Sequence, residues 1–344
     1  MGVDIENGTP FAFAPLFVAD EEGRPLLVPL VKATFAIGPR GLTLAEVQRD
    51  PVLAGEAYGD PEKTSWRYEP EGSLPKPATD VVLVGSAVAP RPGTTEMLVA
   101  FQVGPVKKGI RVLGERAFFK SVATVGMTRP APFERMPLVW ERAFGGWDRS
   151  HPDAAKHASE PRNPLGVGFR ASGGRFEEGL RAPNLEDPAR PFRGLGDRPP
   201  PVGFGFTSPG WEPRTQLAGT FDARWENERA PLLPADFDAR FLQGAPAGQV
   251  APGILRGDEP VVVSGASSGT GLAFALPGVP PPRIRAALAA GPDARCTTAL
   301  DTVIVDADAG LVFLLWRGRI PLREGPHDVR TLSVEGEAPA FAAA

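Results

Sequence analysis

Thr298-Ala-Leu-Asp-Thr-Val-Ile-Val-Asp306, Ala307-Asp-Ala-Gly310 and Leu311-Val-Phe-Leu-Leu-Trp-Arg-Gly-Arg-Ile320 form the stretch that decides the fold. Two apolar runs rich in β-branched residues flank a short turn that ends in Gly, the pattern of a β-hairpin. Leu311 to Trp316 is apolar at every position, so this strand is expected to be covered on both faces. A central strand near the C-terminal side implies a sheet that the chain completes late.

The rest of the chain supplies strands for that sheet. Pro260–Ser264 and Gly271–Leu276 read as short strands. In Leu26–Ile37, Val31, Ala33, Phe35 and Ile37 face one way and Lys32, Thr34 and Ala36 the other, while Pro29 implies an edge or a bulge. Phe11–Val18, broken by Pro15, is its hairpin partner across Asp20–Gly23. Val81–Val88, Met97–Val103, Ile110–Leu113 and Ala117–Val122 follow at roughly 10-residue intervals, as in sandwiches and barrels. The expected class is mainly β, with sandwich- or barrel-like antiparallel sheets, a long loop-rich insertion and few short helices. One continuous unit over 1–344 is expected: N-terminal strands at 1–136, a loop-rich aromatic block at 137–250 and C-terminal strands at 251–334.

Composition narrows the function classes. The 344 residues include 40 Gly and 40 Pro, which break up any long helix. Net charge is −4, giving no general attraction to nucleic acid or an anionic membrane. Charge is uneven, with 7 Lys/Arg against 13 Asp/Glu in 1–80 and 9 against 4 in 107–149. The single cysteine, Cys296, excludes an intrachain disulfide and a thiolate metal cluster, and reads as a buried, inert thiol. No signal peptide is visible in the first residues and no apolar run reaches membrane-spanning length, so a soluble cytoplasmic protein is expected.

The aromatic block is densest from Pro201 to Pro246, where Phe204, Phe206, Trp211, Phe221, Trp225, Phe237 and Phe241 sit among Pro, Gly and Arg. Rings at that density order a loop against a scaffold. Phe221–Arg229 and Ala235–Leu242 read as short helices, the second with Asp236 as N-cap. Glu177–Arg181 reads as one helical turn. Glu141, Asp148, Glu186, Asp187, Glu212, Asp222, Glu226, Asp236 and Asp238 lie near aromatics, and a glycosidase would need two such carboxylates. Each also has an arginine at hand: Glu141 has Arg142 or Arg135, Asp222 has Arg224 and Asp236 has Arg240. Such pairs fix irregular backbone. His151 and His157, with Asp148 and Asp153, match no metal-ligand spacing and read as solvent-exposed loop histidines, as against metal ligands. Gly265–Gly271 lacks the Lys-Ser/Thr of a phosphate loop and reads as a flexible turn. Neither a metal nor a cofactor is expected.

Nine phrases occur in order: Lys76-Pro-Ala-Thr-Asp80, Trp140-Glu-Arg-Ala-Phe-Gly-Gly146, Asn163-Pro-Leu-Gly166, Pro183-Asn-Leu-Glu186, Pro201-Val-Gly-Phe-Gly205, Trp211-Glu-Pro-Arg214, Ala218-Gly-Thr-Phe-Asp222 with Trp225, Leu233-Pro-Ala-Asp-Phe-Asp238 and Gly257-Asp-Glu259. Together they resemble the domain-of-unknown-function family numbered 2169, from Thr9 to about Arg317. The resemblance implies a bacterial type VI secretion adaptor or chaperone, which stabilises a secreted effector and helps load it onto spike and tip proteins. It implies no catalytic residues. The residues expected to contact the effector, or to serve as structural signature, are Trp140, Glu141, Arg142, Trp147, Trp211, Arg214, Asp222, Trp225, Asp236 and Asp238. The alternatives are an all-β hydrolase of glycans or peptidoglycan using loop carboxylates, and a carbohydrate-binding module.

Overall fold

The computed structural model describes residues 3–122, 124–172, 174, 176, 178–266 and 271–336. Strand makes up 39% of the structure and helix 7%, and no sheet closes into a barrel among these residues. Part of the turn at Gly265–Gly271 and the start of the turn at Glu177–Arg181 lie outside the described residues.

The hairpin quoted above forms as Ala299–Asp306 paired antiparallel with Leu311–Arg317. It sits inside a seven-stranded sheet ordered Ala12–Ala19, Pro25–Gly38, Leu311–Arg317, Ala299–Asp306, Asp80–Val84, with Gly41–Leu44 and Ile320–Pro321 also paired to Pro25–Gly38. Asp80–Val84 runs parallel to Ala299–Asp306, and the other pairings are antiparallel.

The continuous apolar run is explained by burial on both faces. Val312, Leu314 and Trp316 point into the main core with Val31, Ala33, Phe35, Val81, Leu83, Val303 and Val305. Phe313 and Leu315 point the other way, with Leu26, Val28, Leu30, Val82, Val84 and Ile304. Two smaller sheets cover the first face. One is ordered Leu185–Glu186, Val106–Leu113, Glu96–Val103, Pro260–Ser264, Leu272–Ala275, and adds Val99, Phe101, Ile110 and Val261 to the core. The other is ordered Asp4–Asn7, Val329–Glu335, Arg283–Leu288, Ala294–Thr297, and adds Ile284, Ala286, Leu332 and Val334. Tyr68, from the short strand Trp66–Tyr68, and loops carrying Phe206 and Ala245 cover the second face.

Pro29 lies neither at an edge nor in a bulge, because its strand is paired on both sides. Its partner instead leaves the ladder at Gly318–Arg319 and resumes at Ile320 in the same register. Gly318 N–H still donates to the Pro29 carbonyl at 3.2 Å, so the polar side of Pro29 faces Gly318 and the missing proline N–H costs one ladder bond there. Pro15 stands opposite Pro29 and does not break its strand, which runs from Ala12 to Ala19. Its nitrogen faces the open side of an edge strand, where no donor is needed.

Candidate functional site

The loops on the second face are fixed by buried ions. Lys76 Nζ contacts Glu69 and lies 2.6 Å from Asp80 Oδ2, with all three side chains buried. Lys32 donates to Glu71 at 2.8 Å, and Arg317 binds Asp301 and the Glu71 carbonyl. Arg214 approaches Glu69 at 3.6 Å. Gly244 N–H donates to Asp80 Oδ2 at 2.8 Å. A Cβ on Gly244 would stand 2.0 Å from Glu69 Oε2, so the approach of this backbone to the ions needs glycine. Burial pulls the Lys76 ammonium down, but Asp80, Glu69 and Asp301 outweigh it and leave its pKa above that of free lysine. The cluster is sealed from solvent, so its chemistry is structural.

The sequence phrases interlock around this cluster. Trp140 is buried; its Nε1 donates to the Gly205 carbonyl at 3.1 Å, and its ring meets Trp211 edge-on at 5.6 Å between centroids. A Cβ on Gly203 would lie 2.9 Å from the Trp140 ring. Asn163 donates to the Trp140 and Phe144 carbonyls at 2.9 and 3.0 Å. Arg142 binds Glu115 and Asn184, and Asn184 donates to the Leu113 carbonyl at 3.1 Å. Arg214 donates to the Phe241 and Thr207 carbonyls, both at 2.7 Å, and lies over the Phe241 ring.

Glu141, Asp222, Asp236 and Asp238 are all occupied, and of these only Asp238 by an arginine close in sequence. Glu141 accepts from Ser65 N–H at 2.6 Å and Ser65 Oγ at 2.8 Å, while Arg135 goes to Asp308. Arg224 pairs with Glu228, so Asp222 is free to cap Ala223–Glu228 through Trp225 N–H at 2.8 Å. Asp236 accepts from Thr220 N–H and Oγ1 at 2.9 and 2.7 Å. Asp238, in place of Asp236, caps the 3-10 turn Ala239–Leu242 and pairs with Arg240. Glu141 and Asp236 thus find partners 76 and 16 residues away in place of the neighbouring arginines, because turn geometry decides which oxygen meets which donor.

Two surfaces stay open. Trp147 is 48% exposed, with the Arg149 guanidinium 5.2 Å from its ring centroid. It stands between clefts of about 420 and 530 Å³ that share Gly146, Trp147, Gly166 and Arg170 as walls. A third cleft of about 500 Å³ joins Asp222, half-buried Trp225 and Asp236. Trp225 Nε1 donates to the Leu232 carbonyl, and exposed Phe221 meets the Trp225 ring at 4.8 Å. The Thr220 N–H, then its hydroxyl, hold the Asp236 carboxyl below the usual range. That is the opposite of what a proton-donating acid requires.

His151 Nδ1 accepts from Asp153 N–H, and His157 Nε2 lies 3.0 Å from the His151 carbonyl, so both tie their own loop. The only grouping of potential metal-ligand atoms among the described residues is Asp20, Glu21 and Glu22, where Arg24 and Arg319 already pair with the acids. Cys296 is half-buried rather than buried, and burial pushes its thiol up to about 11.

Lys32, Asp301 and Arg317 were missed as members of the ion cluster. A signal existed: each is a charge set inside an apolar strand, where an unpaired charge is excluded.

Lys108 yields a test in solution. Its Nζ donates to the Gly203 and Ala247 carbonyls at 2.7 and 3.1 Å without an acid in contact, and burial pulls its pKa down to about 7, with Asp187 opposing weakly. Unfolded lysine titrates near 10.4. Between these values the unfolded chain binds more protons, so stability rises with pH from about 7 toward 10. The melting temperature is expected to rise from pH 7 to 9, and Lys108→Met to flatten that rise.

The molecule is thus an all-β scaffold whose loop block is clamped by buried ions and whose surface presents one indole between clefts. The chain belongs to the family described as an uncharacterized protein conserved in bacteria (DUF2169), whose model matches residues 22–317. No curated protein and no solved structure is significantly similar to it. No helix among the described residues is long and apolar enough to cross a membrane.

Proposed function

We propose that this protein is a non-enzymatic adaptor that binds a type VI secretion effector in the cytoplasm and helps load it onto the spike complex. The observation that carries a binding role is Trp147. Trp140 and Trp211 of the same loop block are buried, whereas the Trp147 indole remains about half exposed beside Arg149 and between two clefts. Trp and Arg at the centre of a contact are the side chains that dominate interface energies. The engagement of Glu141, Asp222, Asp236 and Asp238 by backbone, hydroxyl or Arg supports binding over hydrolysis. The link to type VI secretion rests on the resemblance of the nine sequence phrases.

Co-expression with the product of a neighbouring gene tests the proposal. The partner is expected to co-purify and to gain soluble yield, and equal solubility and equal secretion without the adaptor would refute it. Trp147→Ala is expected to change stability by no more than about 0.5 kcal/mol, as for an ordinary surface site. The same variant is expected to lower partner affinity by about 2 kcal/mol, the loss of a central anchor. Calorimetric titration and thermal melting separate the two effects.

A further inference from the structure

The outer face of the four-stranded sheet sets two arginines against each other at its edge, while Glu335 stands opposite Arg283 on the inner side. Arg285, in Arg283–Leu288, stands directly opposite Arg295, in Ala294–Thr297. Thr298 N–H donates to the Pro282 carbonyl at 3.1 Å, which fixes the phase of the ladder. Ile284/Cys296 and Ala286/Ala294 are therefore the hydrogen-bonded pairs, and Arg283/Thr297 and Arg285/Arg295 are not. Non-hydrogen-bonded pairs bring side chains closest, and like charges directly opposite one another repel. Arg283 lies two residues away on the same face. Among the described residues neither Arg283 nor Arg295 has an ion-pair partner. Arg285 has Asp293 at 3.6 Å and Ser333 Oγ at 3.5 Å, while its buried Nε has no partner. The three arginines line a cleft of about 320 Å³ with Thr297 and Glu335.

The same phase turns the N–H and C=O groups of Arg295 and Thr297 away from the sheet. Ala294–Thr297 is the outermost strand, and both residues are exposed. These outward groups have no protein partner among the described residues. A free edge of this kind is a template for another strand.

We propose that the Ala294–Thr297 edge takes an acidic, extended segment of a partner protein by strand addition. The backbone of Arg295 and Thr297 extends the ladder, and Arg283, Arg285 and Arg295 receive carboxylates at alternate positions of the incoming segment. Positive charge on an edge also guards it against stray pairing. Here the guard selects by sign: a second copy approaching by this edge brings the same arginine-bearing strand against its like. The opposite edge of the same sheet, Asp4–Asn7, is acidic, but Glu6 already accepts from Ser333 Oγ at 3.0 Å. The inference does not depend on Trp147 or on the adaptor reading.

Fluorescence anisotropy with an acetylated peptide of alternating Glu and Thr, about eight residues long, tests the proposal. The matching Lys–Thr peptide is the control. The Glu peptide is expected to bind with an affinity that falls several-fold as NaCl is raised, and the Lys peptide is not. Thr297→Pro removes an outward N–H and leaves the inward ladder intact, as proline is tolerated on an edge. Arg295→Glu reverses the charge. Each is expected to weaken the Glu peptide about tenfold or more without lowering the melting temperature. Absence of Glu-peptide binding, equal binding of the Lys peptide, or full binding by Thr297→Pro overturns the proposal. Self-association in sedimentation velocity that Asp4→Lys and Glu6→Lys abolish would make a second copy the occupant, and would overturn it too.

Discussion

Replacing Lys76 with methionine is expected to cost about 3–5 kcal/mol of folding stability, the usual penalty for removing one partner of a buried ion pair. Methionine fills much of the space, so the loss is electrostatic. Glu69 and Asp80 would be left facing each other in a site closed to water, with Arg214 at 3.6 Å from Glu69 as the nearest remaining cation. Asp80 Oδ1 already has no hydrogen-bond partner, which leaves little to absorb a second deficit. Urea denaturation measures the loss. The triple variant Lys76→Met, Glu69→Gln, Asp80→Asn removes all three charges and is expected to recover much of it. If the single variant is as stable as the wild type, the cluster does not hold the loops.

Trp140→Ala is expected to cost about 3–5 kcal/mol, as for a large buried aromatic. The ring fills the space between Gly203 and Trp211, and its N–H holds the Gly205 carbonyl. Trp140→Phe keeps most of the apolar volume and strands that carbonyl, for an expected cost of about 1–3 kcal/mol. Both losses are read from denaturation midpoints at an unchanged slope. Set against Trp147→Ala, the pair separates a tryptophan that builds the loop block from one that faces outward.

The strands were legible because their chemistry is local. Leu311–Trp316 announces burial on both faces by having no polar position, and Val31, Ala33, Phe35 and Ile37 announce one face by alternation. The loop block was legible as ordered but not as arranged. Trp140 and Trp147 stand seven residues apart and differ in exposure because loops from residues 163 and 203–211 close over the first and not the second. No local period records that. The ion cluster joins Lys32 to Glu71, and Lys76 to Glu69 and Asp80, through a fold that only the whole sheet defines. The open edge at Arg295 and Thr297 was hidden for a related reason. Strand order, not strand pattern, decides which strand lies outermost.

The parallel pairing of Asp80–Val84 with Ala299–Asp306 has a consequence for biosynthesis. A ribosome adding roughly 5–20 residues per second takes on the order of 10–40 s to travel from one strand to the other. For that interval Val81, Val82, Leu83 and Val84 are outside the ribosome without the neighbour that covers their ladder, and both cores wait on the same late hairpin. The nascent chain is then a client for holding chaperones, and ribosome-bound chains stalled before residue 299 should be protease-sensitive throughout. Chains released after Glu335, once the strand Val329–Glu335 has closed the four-stranded sheet, should become resistant in a single step.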